Sequence, residues 1–208
     1  MSRPRRSEHT REALISNGIE QLSLHGYHGT GIKQILDEVK VPKGSFYNFF
    51  ASKEAFVAEI IEQYSRNFLE KLKQFVTNEG KALSPVQQLQ SMYQYNLEYY
   101  ANGKYQKSCL VGALATEISA ESSLCRVQLE KASTQWINFF TSLFEQAQVS
   151  GEIRTDLSAH SIANLYWATW EGALMTMKMT ETTETALKIM DIVLNTLLLP
   201  NQHPVKLN

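Results

Sequence analysis

Lys43, Gly44, Ser45, Tyr47 and Lys53 stand close together in the chain and are of the kinds that meet nucleic acid. A lysine reaches a guanine edge or a phosphate, a serine hydroxyl donates to either, and a tyrosine hydroxyl bonds a phosphate. Small residues in the first turn of a helix let its backbone approach base edges in a major groove. Thr30 lies upstream, at the start of another short segment, where a further phosphate contact is expected. Lys53 stands at a helix start, whose free amides also favour phosphate. A plain helical hairpin carrying surface lysines would use some of the same residues, but it needs neither the small pair Gly44-Ser45 nor the proline before it.

These residues have to be held by helices, because apolar residues recur at helical spacing along most of the chain. A first helix spans residues 9 to 25, with Leu14, Ile15, Gly18, Ile19 and Leu22 on one face, and ends at His25-Gly26, where glycine is free to take a positive φ. Thr30 is a good N-cap for a second helix, Ile32–Val39. Pro42 is a favoured first residue for a third, running to Asn48. Phe46 and Phe50 are expected to face inwards and fix that helix. Ser52 caps a long helix with Phe56, Ile60, Tyr64 and Phe68 at four-residue intervals. Ser84-Pro85 starts the next helix, and residues 108–119, 122–149, 158–179 and 183–198 read as four more. The fold class is all-α, with about nine helices: a small N-terminal head with three helices, then a larger body.

Composition narrows the function classes. Apolar residues make up 43% of 208, enough for a core. No apolar run of about 18 residues suits a membrane span, and the basic start Met1–Glu12 lacks the apolar stretch of a secretory signal. Two cysteines, Cys109 and Cys125, are too few for a disulfide framework, so a cytoplasmic chain with reduced thiols is expected. The total charge of −1 divides unevenly: residues 1–53 hold eight Lys/Arg against five Asp/Glu, +3, leaving −4 for the rest. A basic end on an acidic body suits a polyanionic partner. The five histidines form no metal-ligand spacing, and no catalytic carboxylate pair, Ser/His/Asp set or Gly-rich phosphate loop is present, so neither an enzyme nor a cofactor is expected. A helical adaptor that binds only protein remains as a remote alternative; it would not need the small residues and basic flanks around position 44.

The pattern Gly-Tyr-x-Gly-Thr from 26, Ile-x-x-Ile from 32 and Val-Pro-Lys-Gly-Ser-Phe-Tyr-x-x-Phe-x-Ser-Lys-Glu-Ala-Phe from 41 resembles the TetR family of bacterial one-component repressors. The likeness in the head covers about residues 8–60. It implies an all-α homodimer that binds a double-stranded DNA operator and answers a small-molecule or electrophile effector. By match to the family motif, Thr30, Lys43, Gly44, Ser45, Tyr47 and Lys53 are the expected DNA contacts. Phe49 departs from it, standing where the family often has histidine or tyrosine, which leaves a phosphate contact there open. Residues 1–53 would be the DNA-binding domain and 54–200 the effector-binding and dimerisation domain, with helix 54–75 connecting them and 201–208 a tail. The arm Arg3-Pro4-Arg5-Arg6 would either add minor-groove or phosphate contacts or be a solubilising tail.

In the family the last two long helices usually form the dimer face. That points to Leu165, Trp170 and Leu174 on one and Leu187, Met190, Leu194 and Leu197 on the other, which would otherwise fill the monomer core. Tyr93, Tyr95, Trp136, Phe139, Phe140, Trp167, Met175, Met177 and Met179 are candidates for an effector cavity, although at helical spacing such residues more often fill the core. Cys109 sits at the expected start of a helix with Lys104 and Lys107 nearby, a setting that favours thiolate. Ser108-Cys109-Leu110, Ala115–Glu121 and Gly172–Lys178 resemble the branch of the family that holds the repressor of N-ethylmaleimide reductase. That likeness implies electrophile or oxidant sensing at Cys109, with Lys178 bonding the oxidised sulfur. The competing reading is a buried, inert Cys109 and a non-covalent apolar ligand. Cys125 is read as structural or as a secondary thiol.

Overall fold

The computed structural model describes residues 6–200, with the side chains of Arg6 and Lys43 outside the description. The arm at 3–6 and the tail at 201–208 therefore lie outside the described residues as well, apart from the backbone of Arg6. Nine α-helices are present among the described residues and no strand. They are α1 Arg6–His25, α2 Ile32–Val39, α3 Lys43–Phe46, α4 Lys53–Thr77, α5 Pro85–Asn102, α6 Leu110–Ile118, α7 Ser123–Val149, α8 Ala159–Thr180 and α9 Glu184–Ile192. The described residues form two compact units, one running up to residue 68 and including 107–133, the other formed by 69–106 and the residues from 134 onwards.

In the first unit α1 buries Leu14, Ile15, Gly18 and Leu22 along one stripe. Gly18 is needed there, because a Cβ would lie 2.4 Å from Ile60 Cδ1 and 2.7 Å from Phe56 Cζ on α4. Gly26, at φ +70°, ends α1, and its amide bonds back to the Leu22 carbonyl at 2.9 Å. The expectation that Thr30 caps α2 fails: Gly31 is the N-cap and makes no side-chain bond. Thr30 is buried instead, and its hydroxyl donates to the Gly26 carbonyl (2.7 Å), with the Gln21 carbonyl 3.2 Å away. Ser52 does cap α4, its Oγ accepting from the Ala55 amide at 3.1 Å. The thiol of Cys125 on α7 is fully buried, which pushes its pKa up, and Sγ lies 3.5 Å from the Glu54 carbonyl as a donor. It packs as a small apolar side chain.

The second unit has an aromatic core. Trp136, Phe140 and Phe144 recur every four residues on α7 and meet Tyr166 and Trp167 of α8, with ring centroids 4.9 Å (Trp136–Trp167), 5.0 Å (Phe140–Tyr166) and 5.5 Å (Phe144–Tyr166) apart. Such ring pairs add to what their buried area contributes. Ser84 and Gln87 form a reciprocal capping box at the start of α5, with Pro85 in its first turn. Ser158 caps α8 through the Ser161 amide at 3.1 Å. The single helix expected over 183–198 is not uniform: α9 stops at Ile192 and a π-helical turn occupies Val193–Leu197. The third helix is likewise shorter than expected, Pro42 being its N-cap rather than its first residue, and residues 47–49 form a turn.

Candidate nucleic-acid interface

α2 and α3 form a helix-turn-helix. The turn is set by Lys40 at φ +57°, whose amide bonds the Asp37 carbonyl at 3.2 Å, while Val41 N–H reaches the Leu36 carbonyl at 2.9 Å. This left-handed residue closes α2 and turns the chain. Pro42 then opens α3 with φ −59° and ψ 141°, and its carbonyl accepts from the Ser45 amide at 2.9 Å.

One side of α3 is tied to the core. Phe46 is fully buried and Phe50 nearly so, and both pack on Phe56 of α4 at centroid distances of 5.3 and 4.6 Å. Arg11 of α1 stands 5.3 Å over the Phe50 ring and pairs with Glu59. Each buried phenylalanine stabilises by about 1.5–3 kcal/mol, so the short helix, which could not persist alone, is held by its aromatic underside. Phe49 is half-buried beside Phe50.

The other side of α3 is open. Gly44 is exposed, and a Cβ built on it meets nothing within 4 Å. Its φ is not in the left-handed region, so neither packing nor conformation within the chain calls for glycine. Ser45 is half-buried and Tyr47 is 60% exposed. Gly44, Ser45 and Tyr47 therefore share one accessible turn, to which the backbone of Lys43 belongs; the Lys43 side chain lies outside the description.

Thr30 and Lys53 are placed differently. The Thr30 hydroxyl faces inwards, as above. Lys53 Nζ donates to the Tyr27 carbonyl at 2.8 Å and lies 4.0 Å from the Tyr27 ring centroid. Burial lowers the Lys53 pKa against the opposing pull of Glu54 and Glu117. Tyr27 in turn donates to Glu54 Oε1 at 3.2 Å, and burial, with Glu54 adding to it, pushes its phenol up to about 12. Glu54 itself is held below the usual carboxylate range, mainly by the Ser52 hydroxyl. Both residues thus brace the turn between α1 and α2. Glu117 on α6 joins them by accepting from the Tyr27 and His28 amides, at 2.8 and 3.1 Å. Nothing local in the sequence signals that role, since 90 residues separate Glu117 from Tyr27.

Of the other expected positions, Cys109 is buried and is the N-cap of α6. Lys107 beside it pairs with Glu20 at 2.7 Å. Lys178, exposed on α8, belongs to the other compact unit. Among the apolar residues of α8, α9 and the π turn, Trp170, Leu174, Met190 and Leu194 are buried in the chain's own core, Leu187 is half-buried, and Leu165 and Leu197 are exposed. Tyr95, Met175 and Met179 are 70, 61 and 68% exposed, so these three do not line an interior cavity of the unit; Tyr93, Trp136, Phe140 and Met177 are buried. No described helix is long and apolar enough to cross a membrane.

Comparison with known proteins places this geometry. Residues 14–60 match the family model "Bacterial regulatory proteins, tetR family", and residues 85–193 match "Tetracyclin repressor-like, C-terminal domain". The chain is 30% identical over 188 residues to the HTH-type transcriptional repressor DhaR of Mycobacterium sp. (strain GP1), covering 90% of this chain and 92% of that one. The HTH-type transcriptional repressor NemR of Escherichia coli (strain K12) is 28% identical, with 86 and 89% covered. The crystal structure of reduced E. coli NemR superposes with a TM-score of 0.80 over 90% of this chain and 96% of that one, at 27% identity. A regulatory protein TetR from Rhodobacter sphaeroides gives a TM-score of 0.83 at 30% identity, covering 89 and 97%.

Proposed function

The chain belongs to the TetR family of bacterial DNA-binding transcriptional regulators, and from that premise we propose that it is a repressor whose α3 reads a palindromic operator until an inducer releases it. The observation that carries the reading is the two-sided nature of α3 and the turn after it: Phe46 and Phe50 anchor them from beneath, while Gly44 and Tyr47 are exposed and Ser45 is half-buried. An exposed helical glycine that the fold does not require is explained by close approach of something outside the chain. Lys43, Gly44, Ser45 and Tyr47 would meet the groove and its phosphates. Thr30 and Lys53 would serve DNA binding mainly by holding the turn before α2.

A homodimer would set two such helices about 34–36 Å apart, one turn of B-DNA. Leu165 and Leu197 would belong to the dimer face, with Leu187 at its edge and Trp170, Leu174, Met190 and Leu194 packed behind it. Residues 1–53 would act as the DNA-binding domain and 54–200 as the effector and dimer domain.

The inducer has two readings. Burial of Cys109, and the pairing of Lys107 with Glu20, favour a non-covalent apolar ligand and a structural thiol. The likeness to NemR, for which a reduced form is known, favours modification of Cys109. Fluorescence anisotropy on a duplex selected by the protein decides between them. Wild type and Cys109→Ser are titrated with and without N-ethylmaleimide or hypochlorite. Release of wild type alone establishes the thiol as sensor. Equal retention of both makes Cys109 structural. Failure of the wild type to bind any duplex at low salt, where counterion release helps most, would overturn the operator reading itself.

A further inference from the structure

We propose that Glu117 is a positioning residue for DNA binding: from α6, its carboxylate holds the turn on which the helix-turn-helix is hung. The proposal rests on the DNA-binding reading above and goes beyond it by adding a residue that touches no DNA. A single oxygen, Glu117 Oε2, accepts from two successive backbone amides, Tyr27 N at 2.8 Å and His28 N at 3.1 Å. Both follow Gly26, where φ +70° swings the chain out of α1. A Cβ on Gly26 would lie 2.1 Å from Glu117 Oε1, so the carboxylate's approach needs that bare backbone.

The carbonyls of the same turn are held from elsewhere. Thr30 Oγ1 donates to the Gly26 carbonyl at 2.7 Å, and Lys53 Nζ on α4 donates to the Tyr27 carbonyl at 2.8 Å. The Tyr27 and His28 amides thus go to α6, and the Gly26 and Tyr27 carbonyls to Thr30 and α4. α2 starts at Ile32, four residues after His28, and leads through Lys40 into α3. The direction of α3 therefore depends on this turn.

α6 is itself fixed to α1 at its other end. Lys107 Nζ pairs with Glu20 at 2.7 Å, and Ser108 N–H donates to the Ser23 carbonyl at 3.2 Å. The nine residues of α6 form a splint, tied before its first turn to α1 and by its last turn to the loop beyond α1. Both bonds meet at one oxygen at the end of the side chain, so both depend on its reach. A displacement of about 1 Å carries both beyond hydrogen-bonding range.

Two substitutions separate reach from charge. Glu117→Gln keeps an acceptor oxygen at the same reach and removes the charge; Glu117→Asp keeps the charge and is one methylene short. DNA affinity is measured on a duplex selected by the wild type, together with exchange of the Tyr27 and His28 amides by NMR and the thermal midpoint of each variant. Glu117→Gln is expected to stay within about threefold of wild type, and Glu117→Asp to lose at least about tenfold. The two amides should be protected in wild type and Glu117→Gln but exchange freely in Glu117→Asp, with the midpoint kept. Wild-type affinity in Glu117→Asp overturns the proposal. So does an equal loss in Glu117→Gln, which would assign the effect to charge acting on Lys53. Should Glu117→Asp unfold, Glu117→Gln and wild-type exchange decide, since lost binding in the first or unprotected amides in the second is fatal. If the wild type selects no duplex, the DNA-binding reading falls and the proposal with it; if only the amides are unprotected, the proposal falls alone.

Discussion

Gly44→Ala should make the protein more stable and worse at binding DNA. The first effect follows from the emptiness around Gly44: a Cβ there meets no atom within 4 Å, and the residue does not occupy the left-handed region. Alanine fits without strain and restricts the unfolded chain, which stabilises by about 0.4–1 kcal/mol. The second effect comes from outside the chain. A helix whose first turn lies against base edges leaves little room for an added methyl at its second residue, and a misfit of about 1.4 kcal/mol already costs tenfold in affinity. Urea unfolding at one fixed protomer concentration reads the first effect, since the proposed dimerisation would add a mass-action contribution to stability. Anisotropy on the selected duplex reads the second. Gly44→Ala that binds as tightly as wild type would refute the inference that glycine serves close approach. Gly44→Ala that is destabilised would refute the account of an unpacked site.

Gly18→Ala should show the opposite balance. Helix propensity favours alanine by about 1 kcal/mol, but its Cβ would press on Ile60 Cδ1 and the Phe56 ring, both fully or almost fully buried and without room to turn. Overpacking of about 1–3 kcal/mol should win, and a melting point above that of wild type would contradict the close approach of α1 to α4. Tyr27 supplies the pH dependence. Its phenol ionises near 10 when unfolded and at about 12 in the fold. Between those values the unfolded chain has lost a proton that the folded chain keeps, so stability is complete below pH 10 and falls as pH rises towards 12, by up to about 1.4 kcal/mol per unit. Unfolding curves from pH 8 to 11.5 should show that Tyr27→Phe removes this one-proton slope, and parallel slopes in the two proteins would refute it.

The helices and the helix-turn-helix were legible in sequence because their signals are local: Pro42 before α3, Ser52 before α4, glycine at the end of α1, and apolar stripes at a constant period. Thr30 misled for the same reason. Its place just before α2 suits an N-cap, yet its hydroxyl turns inwards to the Gly26 carbonyl, which only the folded turn brings near. Glu117 is the extreme case, its partners lying 90 and 89 residues away. The apolar residues of α8, α9 and the π turn are ambiguous for a different reason. When a helix packs both on its own core and on a further surface, apolar residues occur on more than one face, and pattern alone does not separate Met190 and Leu194, inside, from Leu165 and Leu197, outside. An excess of one residue in a single turn, as at Val193–Leu197, hardly disturbs a periodic pattern and leaves no mark in composition.

That wide turn acts as a phase shifter. It lodges one more residue than an α-helical turn would, so the residues directly after it, 198–200, are rotated by about 100° relative to the continuation of α9. With this phase Leu198 is buried while Leu197 and Leu199, each 52% exposed, lie outside. Deleting one residue between 193 and 197 would restore the regular spiral and rotate that exposed pair away from its present direction. In the homodimer proposed above, that rotation would change the shape offered to a partner without changing the hydrophobicity of the chain.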